Sequence, residues 1–213
     1  MAEELLDELP RPQRLALSYA PAKARRATLA LLALDARLAA VLRRRGEPML
    51  AQMRLAWWRD RLADDPASWP VDAVLALLRQ WREPGALVPL VDGWEALLGE
   101  QLDQAAIAEF AHGRGAGFGS LARELHCDTH NAEAAGRLWA LGDLAANLTD
   151  PAERAAVIEA AGAEPRLSSL PRLLRPLTVL AGLAEASLRR GGAPLLANPG
   201  AALLAVRLGI FGR

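Results

Sequence analysis

Leu31-Leu32-Ala33-Leu34-Asp35-Ala36-Arg37-Leu38-Ala39-Ala40-Val41-Leu42 is the stretch on which the fold turns. Leu31, Leu34, Leu38, Val41 and Leu42 recur at the interval that gathers side chains on one face of an α-helix. That face is expected in the core. Asp35 lies near its edge, an unusual place for a carboxylate, because an isolated buried charge is costly. It either pairs with a buried arginine or faces a cavity.

The same period extends in both directions and predicts helices at about 21–45, 48–63, 71–82, 86–99, 103–126, 131–148, 151–161, 168–190 and 200–211. Proline and glycine separate them, at Gly46, Pro66, Pro70, Pro84-Gly85, Pro151, Pro165, Gly191-Gly192 and Pro199-Gly200. The clearest start is Asp150-Pro151-Ala152-Glu153, where Asp150 can cap, proline takes the first helical position and Glu153 can bond back. No alternating strand pattern, repeat or linker interrupts the chain. Short connections between helices favour one antiparallel, all-α bundle over residues 1–213.

Composition agrees. Hydrophobic residues make up 52% of 213, enough for a sizeable core. Alanine, leucine and arginine dominate, and such side chains lose little rotamer freedom in a helix. Twenty-five basic residues balance twenty-five acidic ones, so net charge gives no sign of nucleic acid. Positive charge is nevertheless concentrated at Arg43-Arg44-Arg45, Arg54, Arg59 and Arg61, either a solvated mixed face or an attraction for an anion or anionic lipid. A single cysteine, Cys127, excludes an internal disulfide and fits a reducing compartment. Acidic residues in 1–9 are the wrong charge for a targeting signal. No apolar run approaches the ~20 residues of a membrane span. A cytoplasmic location without a transmembrane segment is expected, with peripheral contact to anionic lipid as a second option.

Two further helices carry information. In 48–63, Met49, Met53 and Trp57 line one side and Leu55, Trp58 and Leu62 another, which predicts a helix enclosed on two sides. Arg54 and Arg61 fall between those sides. In 131–148, Leu138, Leu141, Leu144 and Leu148 form the core face, while Asp143 and Asn147 project from the other side beside Trp139.

Ser18-Tyr19-Ala20-Pro21-Ala22-Lys23-Ala24-Arg25-Arg26, followed by Leu31-Leu32-Ala33-Leu34-Asp35, resembles the opening of squalene/phytoene synthases, with its aromatic pair, proline, basic residues and a helix reading ALYAF. Glu47-Pro48-Met49-Leu50-Ala51-Gln52-Met53-Arg54-Leu55-Ala56-Trp57-Trp58-Arg59 is similar to the segment ending in LxWWR in bacterial members. It is also similar to the equivalent segment of the family's mitochondrial complex I assembly factors. The glycine-containing piece from Phe110 to Leu125 resembles the helix before the second family motif. The resemblance covers about 15–150, with a weaker echo to Arg213. It implies a shortened bundle of the isoprenoid-synthase type.

Active members of that family join two prenyl diphosphates, using two aspartate-rich helices to hold magnesium ions against the leaving diphosphate. Here the first motif falls on Ala39, Ala40 and Arg43, and the second lies within Gly142 to Asp150 without restoring a pair of aspartates. The resemblance therefore implies a pseudoenzyme with terpenoid ancestry, with no catalytic and no metal-binding residue assigned and no cofactor. Such a protein would act in ligand binding or in assembly of a membrane complex. Tyr19, Asp35, Arg54, Trp57, Asp143 and Asn147 are its candidate contacts to an isoprenoid or an anionic small molecule. The alternative is an active prenyl diphosphate synthase with an altered acidic site of Asp35, Asp143 and Asp150, which alone would require magnesium. A plain interaction module, with Trp57, Trp58 and the methionines in a closed core, is a third reading.

Other motifs have simpler explanations. His126-Cys127-Asp128-Thr129-His130 has metal-ligating residue types, but no second pair of such ligands exists, and an interhelical turn is expected. Gly113-Arg114-Gly115-Ala116-Gly117-Phe118-Gly119 lacks the preceding strand that a nucleotide loop requires, so close helix packing or a helix break is expected. Three histidines allow no confident assembly of a nucleophilic triad.

Overall fold

The computed structural model describes residues 2–43, 48–99, 101–165 and 168–212. Arg44, Arg45, Gly46 and Glu47, to which the sequence assigned basic charge, a helix end and part of a motif, lie outside the described residues. So do Met1 and Arg213, the ends of the expected domain. The described residues form helices α1 (Ala2–Glu8), α2 (Arg11–Ser18), α3 (Ala22–Arg43), α4 (Pro48–Ala63), α5 (Ala73–Leu78) and α6 (Val88–Ala96). They continue with α7 (Gln104–Glu124), α8 (Thr129–Asn147), α9 (Pro151–Gly162), α10 (Arg175–Leu188) and α11 (Pro199–Phe211). Three short 3-10 turns join some of these, and no strand occurs among the described residues. The chain is all-helical.

Short polar side chains start the helices where their oxygens can meet free backbone N–H groups. Asp72, Asp103, Asp128, Asp150 and Asn198 cap α5, α7, α8, α9 and α11 in this way. Asp150 accepts from the backbone N–H of Ala152 at 2.8 Å and of Glu153 at 2.9 Å. Of the two roles expected for Gly113–Gly119, close helix packing rather than a helix break is the one observed, and α7 runs through it unbroken. Its glycines let neighbouring backbones approach. A Cβ at Gly113 would lie 2.3 Å from the Pro89 carbonyl of α6, and one at Gly136 of α8 would lie 3.0 Å from the Gly115 Cα. With Gly93 facing Phe110 and Gly113, and Gly119 facing Glu133, α7 runs antiparallel to both α6 and α8.

Burial exceeds what the sequence suggests for α3. Leu29, Leu32 and Ala33 are buried along with the predicted face of Leu31, Leu34, Leu38 and Val41, so the middle of α3 is enclosed on all sides. Two helices precede it that the sequence did not predict. Helices α1 and α2 are only 7 and 8 residues long, too short for a readable period, and hold their places by burying Leu5, Leu9, Ala16 and Leu17. Helix α4 corrects a further expectation. Ala51, Leu55, Trp58 and Leu62 are buried, but Met49 is 72%, Met53 62% and Trp57 40% exposed. The helix is enclosed on one side, and its methionines are not core.

The turn between α7 and α8 is a helix stop. His126 takes a left-handed conformation (φ 55°), and the N–H of Cys127 bonds back to the Ala122 carbonyl at 2.8 Å. Burial pushes the Cys127 thiol above its ordinary pKa, which lowers its thiolate content.

Candidate functional site

An arginine occupies the centre of the bundle. Ile107, Phe110, Phe118 and Leu121 mark the buried stripe of α7, and Arg114 stands in the middle of that stripe, its side chain only 2% exposed. A charge so placed must be paired and fully hydrogen-bonded. Its Nε donates to Asp35 Oδ1 at 2.9 Å and its Nη2 to Asp35 Oδ2 at 2.7 Å, a two-pronged pair between α7 and α3. Its Nη1 donates to Asp143 Oδ2 of α8 at 2.7 Å. The guanidinium carbon also lies 4.9 Å from the ring centre of Trp94, 5.1 Å from Phe110 and 5.3 Å from Trp139. Three helices are joined through one side chain.

Asp35 accepts two further bonds, from Trp94 Nε1 at 2.9 Å and from Gln13 Nε2 at 3.0 Å. Both of its oxygens are thus filled from two donors each. Asp143 is less satisfied. Its second oxygen, Oδ1, receives only a 3.3 Å contact from the Asn147 amide, which also donates to the Asp143 carbonyl at 2.8 Å. Burial pushes the Asp143 carboxyl above the ordinary carboxylate range; Arg114 pulls it down and Asp35 adds to the rise. Burial also works against the Arg114 charge, but Asp35 and Asp143 outweigh it and hold the guanidinium pKa above its already high value.

A cavity of about 510 Å³ opens beside this cluster, in the range of small-molecule sites. Arg114, Asp143 and Gln13 contribute its polar wall, while Leu42, Leu97, Leu102, Leu144 and Leu148 contribute apolar surface. Ala39, Arg43, Asn147 and Glu153 line it as well. Leu144 and Leu148, expected in the core, are half-buried on this wall, and Glu153 lines the cavity as well as opening α9.

The sequence candidates are not gathered in one place. Asp143 and Asn147 line the cavity, whereas Asp35 stands behind Arg114 as its ion-pair partner, one of the two roles expected for it. Arg54 and Trp57 line a separate, smaller hollow of about 250 Å³ between α3 and α4. Tyr19 lines neither; its ring packs against Gly209 and so helps seat α11. Arg59 and Arg61 are spent on carboxylates, Arg59 on Asp92 and Glu95 of α6, and Arg61 on Asp64 at 2.8 Å. Sequence reading missed Arg114, Trp94 and Gln13. The signal for Arg114 was an arginine at a core position of an otherwise apolar helical stripe.

The residues present do not suit magnesium bound to diphosphate. A hard divalent ion needs several free carboxylate oxygens. Those of Asp35 are filled, one of Asp143 is held by Arg114, and Asp150 caps α9. Of the three carboxylates the alternative acidic site requires, Asp35 and Asp143 meet at Arg114, and Asp150 is engaged at the start of α9. Among the described residues, no group of three or more histidine, cysteine, aspartate or glutamate side chains is placed to hold a metal ion. No described helix is long and apolar enough to cross a membrane. Comparisons with protein-family models, curated proteins and solved structures find no match to the chain.

Proposed function

We propose that this chain is a ligand-binding protein, related to the squalene/phytoene synthases but without prenyl transfer, that holds an apolar molecule in the cavity beside Arg114. One observation carries the reading: an internal guanidinium already engages both carboxylates that would otherwise be free to hold metal ions. Diphosphate departure then has no cation cluster to stabilise it, and the main source of rate in such chemistry is missing. The resemblance adds support, because Ala39 and Arg43 from its first motif and Asp143 and Asn147 from its second line the same cavity. An isoprenoid chain suits leucine-rich walls of this volume.

The test combines turnover and binding. Purified protein incubated with farnesyl diphosphate and magnesium is expected to form no condensed product and to release no diphosphate above the rate without protein. Calorimetry is expected to detect binding of a farnesyl-chain ligand, lost when Leu144→Trp fills the cavity. Product formation, or absence of any chain binding, overturns the reading.

A second reading, attachment to an anionic lipid surface or a membrane complex, is supported by a different face. The exposed stripe of Met49, Met53 and Trp57 on α4 adjoins Arg54, which has no acidic partner among the described residues. Apolar anchors beside a cation suit the boundary between headgroups and acyl chains. Sedimentation with vesicles containing phosphatidylserine is expected to pull down the protein, and Met53→Glu/Trp57→Glu to abolish it. Sedimentation independent of anionic lipid content counts against this reading.

A further inference from the structure

The cluster beside the cavity carries an imbalance of charge. Asp35 and Asp143 contribute two carboxylates and Arg114 one guanidinium, so the polar wall is left one negative charge in excess. At the cavity's margin Arg43 and Glu153 contribute one charge of each sign and do not correct it. The surplus is not shared equally. Asp35 is filled by four donor contacts, whereas Asp143, its side chain 21% exposed, leaves Oδ1 with only the long amide contact from Asn147. The excess charge therefore lies at the side of the cluster that meets the cavity.

Hydrogen-bonding capacity is unbalanced in the same sense. Gln13 donates through Nε2 to Asp35, an acceptor when ionised, and this fixes which end of its amide faces inward. Its carbonyl Oε1 is left buried without a partner, on a residue that is itself only 2% exposed and that lines the same cavity. Two acceptors thus lack adequate donors there. On the opposing side, three of the five N–H groups of Arg114 already donate to Asp35 or Asp143, which leaves one on each of Nη1 and Nη2.

We propose that the ligand of this cavity is a singly charged cationic amphiphile, a primary ammonium on an apolar chain, with its head against Asp143 and its chain along the leucine walls. The inference rests on the cavity being a ligand site, and it replaces the family's anionic head with one of opposite charge. A phosphate or diphosphate would meet an uncompensated carboxylate, with only Arg43 at the margin and two N–H groups of Arg114 to set against it. An ammonium offers three donors to acceptors that lack them and balances the surplus charge. It would also draw the Asp143 carboxyl, raised by burial, back toward its ionised form.

Three ligands with one chain separate the possibilities: dodecylammonium, dodecanol and dodecyl phosphate, each titrated calorimetrically below its micelle concentration at pH 7. Dodecylammonium is expected to bind at least about tenfold more tightly than dodecanol, with dodecyl phosphate weakest. Asp143→Asn is expected to bring dodecylammonium down to the affinity of dodecanol for the same variant, whose continued dodecanol binding shows that the cavity is kept. Equal affinities, or dodecyl phosphate binding most tightly, overturn the cationic assignment and leave the cavity reading intact. Loss of the ammonium preference only in a control such as Arg54→Gln, with Asp143→Asn unaffected, also overturns it. If none of the three binds, the cavity reading fails and this inference with it.

Discussion

Replacing Arg114 with methionine is expected to cost the folded state about 3–5 kcal/mol, the usual penalty for removing one partner of a buried ion pair. The substitution keeps a long apolar stem against Trp94, Phe110 and Trp139 but leaves Asp35 and Asp143 facing each other without a counter-charge. Against a typical total stability of about 5–15 kcal/mol, that loss brings the bundle close to unfolding. The check is urea denaturation of wild type and variant. A second variant decides the cause: adding Asp35→Asn and Asp143→Asn to Arg114→Met removes the orphaned charges and is expected to recover a measurable part of the loss. No recovery would mean that packing, not charge, accounts for the penalty.

The pH dependence follows with a definite sign. The folded-state pKa of Asp143 is raised above its unfolded value, so its ionisation weakens the fold as pH climbs from the ordinary carboxylate range through the raised value. Arg114 on α7, Asp35 and Arg43 on α3, and Asn147 and Glu153 are the charged or polar groups around it. Removing Arg114 takes away the main influence lowering that pKa. The single variant should therefore regain stability on mild acidification from pH 7, where most proteins lose it.

Gly113→Ala is expected to destabilise by about 1–3 kcal/mol, although alanine is the better helix former by about 1 kcal/mol. Space decides the sign. The new methyl would lie 2.3 Å from the Pro89 carbonyl and 3.0 Å from the Gly93 Cα, both backbone, so α6 and α7 must separate. Gly162, at the end of α9, is the internal control, since a Cβ there meets nothing within 4 Å. Gly162→Ala is expected to leave stability unchanged or to raise it by up to ~1 kcal/mol. At this chain length, each kcal/mol moves the thermal midpoint by about 2–4 °C. Equal midpoints for the two variants would remove the packing explanation.

The all-helical fold was legible because the leucines of α3 and α8 repeat at helical spacing and aspartates stand at the right places to cap. The short N-terminal helices were not, because a few charged residues around Pro10 and Pro12 carry no period, and only tertiary burial of Leu5, Leu9 and Leu17 holds them. The partner of Asp35 was hidden for a different reason. Arg114 lies 79 residues away, and nothing in sequence order joins them. Trp57 and the α4 methionines show the limit of periodicity: an apolar stripe looks the same whether it meets a core or solvent. The cavity beside Asp143 depends on gaps between helices, and no pattern within one helix encodes a gap.

Arg114 grips its two neighbours unequally, with two parallel bonds to α3 and one to α8. The single bond lies across the tighter seam, because α7 and α8 already meet backbone to backbone at Gly115 and Gly136, whereas α3 and α7 touch far less. The two-pronged bond thus falls where packing is thinner, and the guanidinium serves as a rivet fastening α3 to the α7–α8 pair.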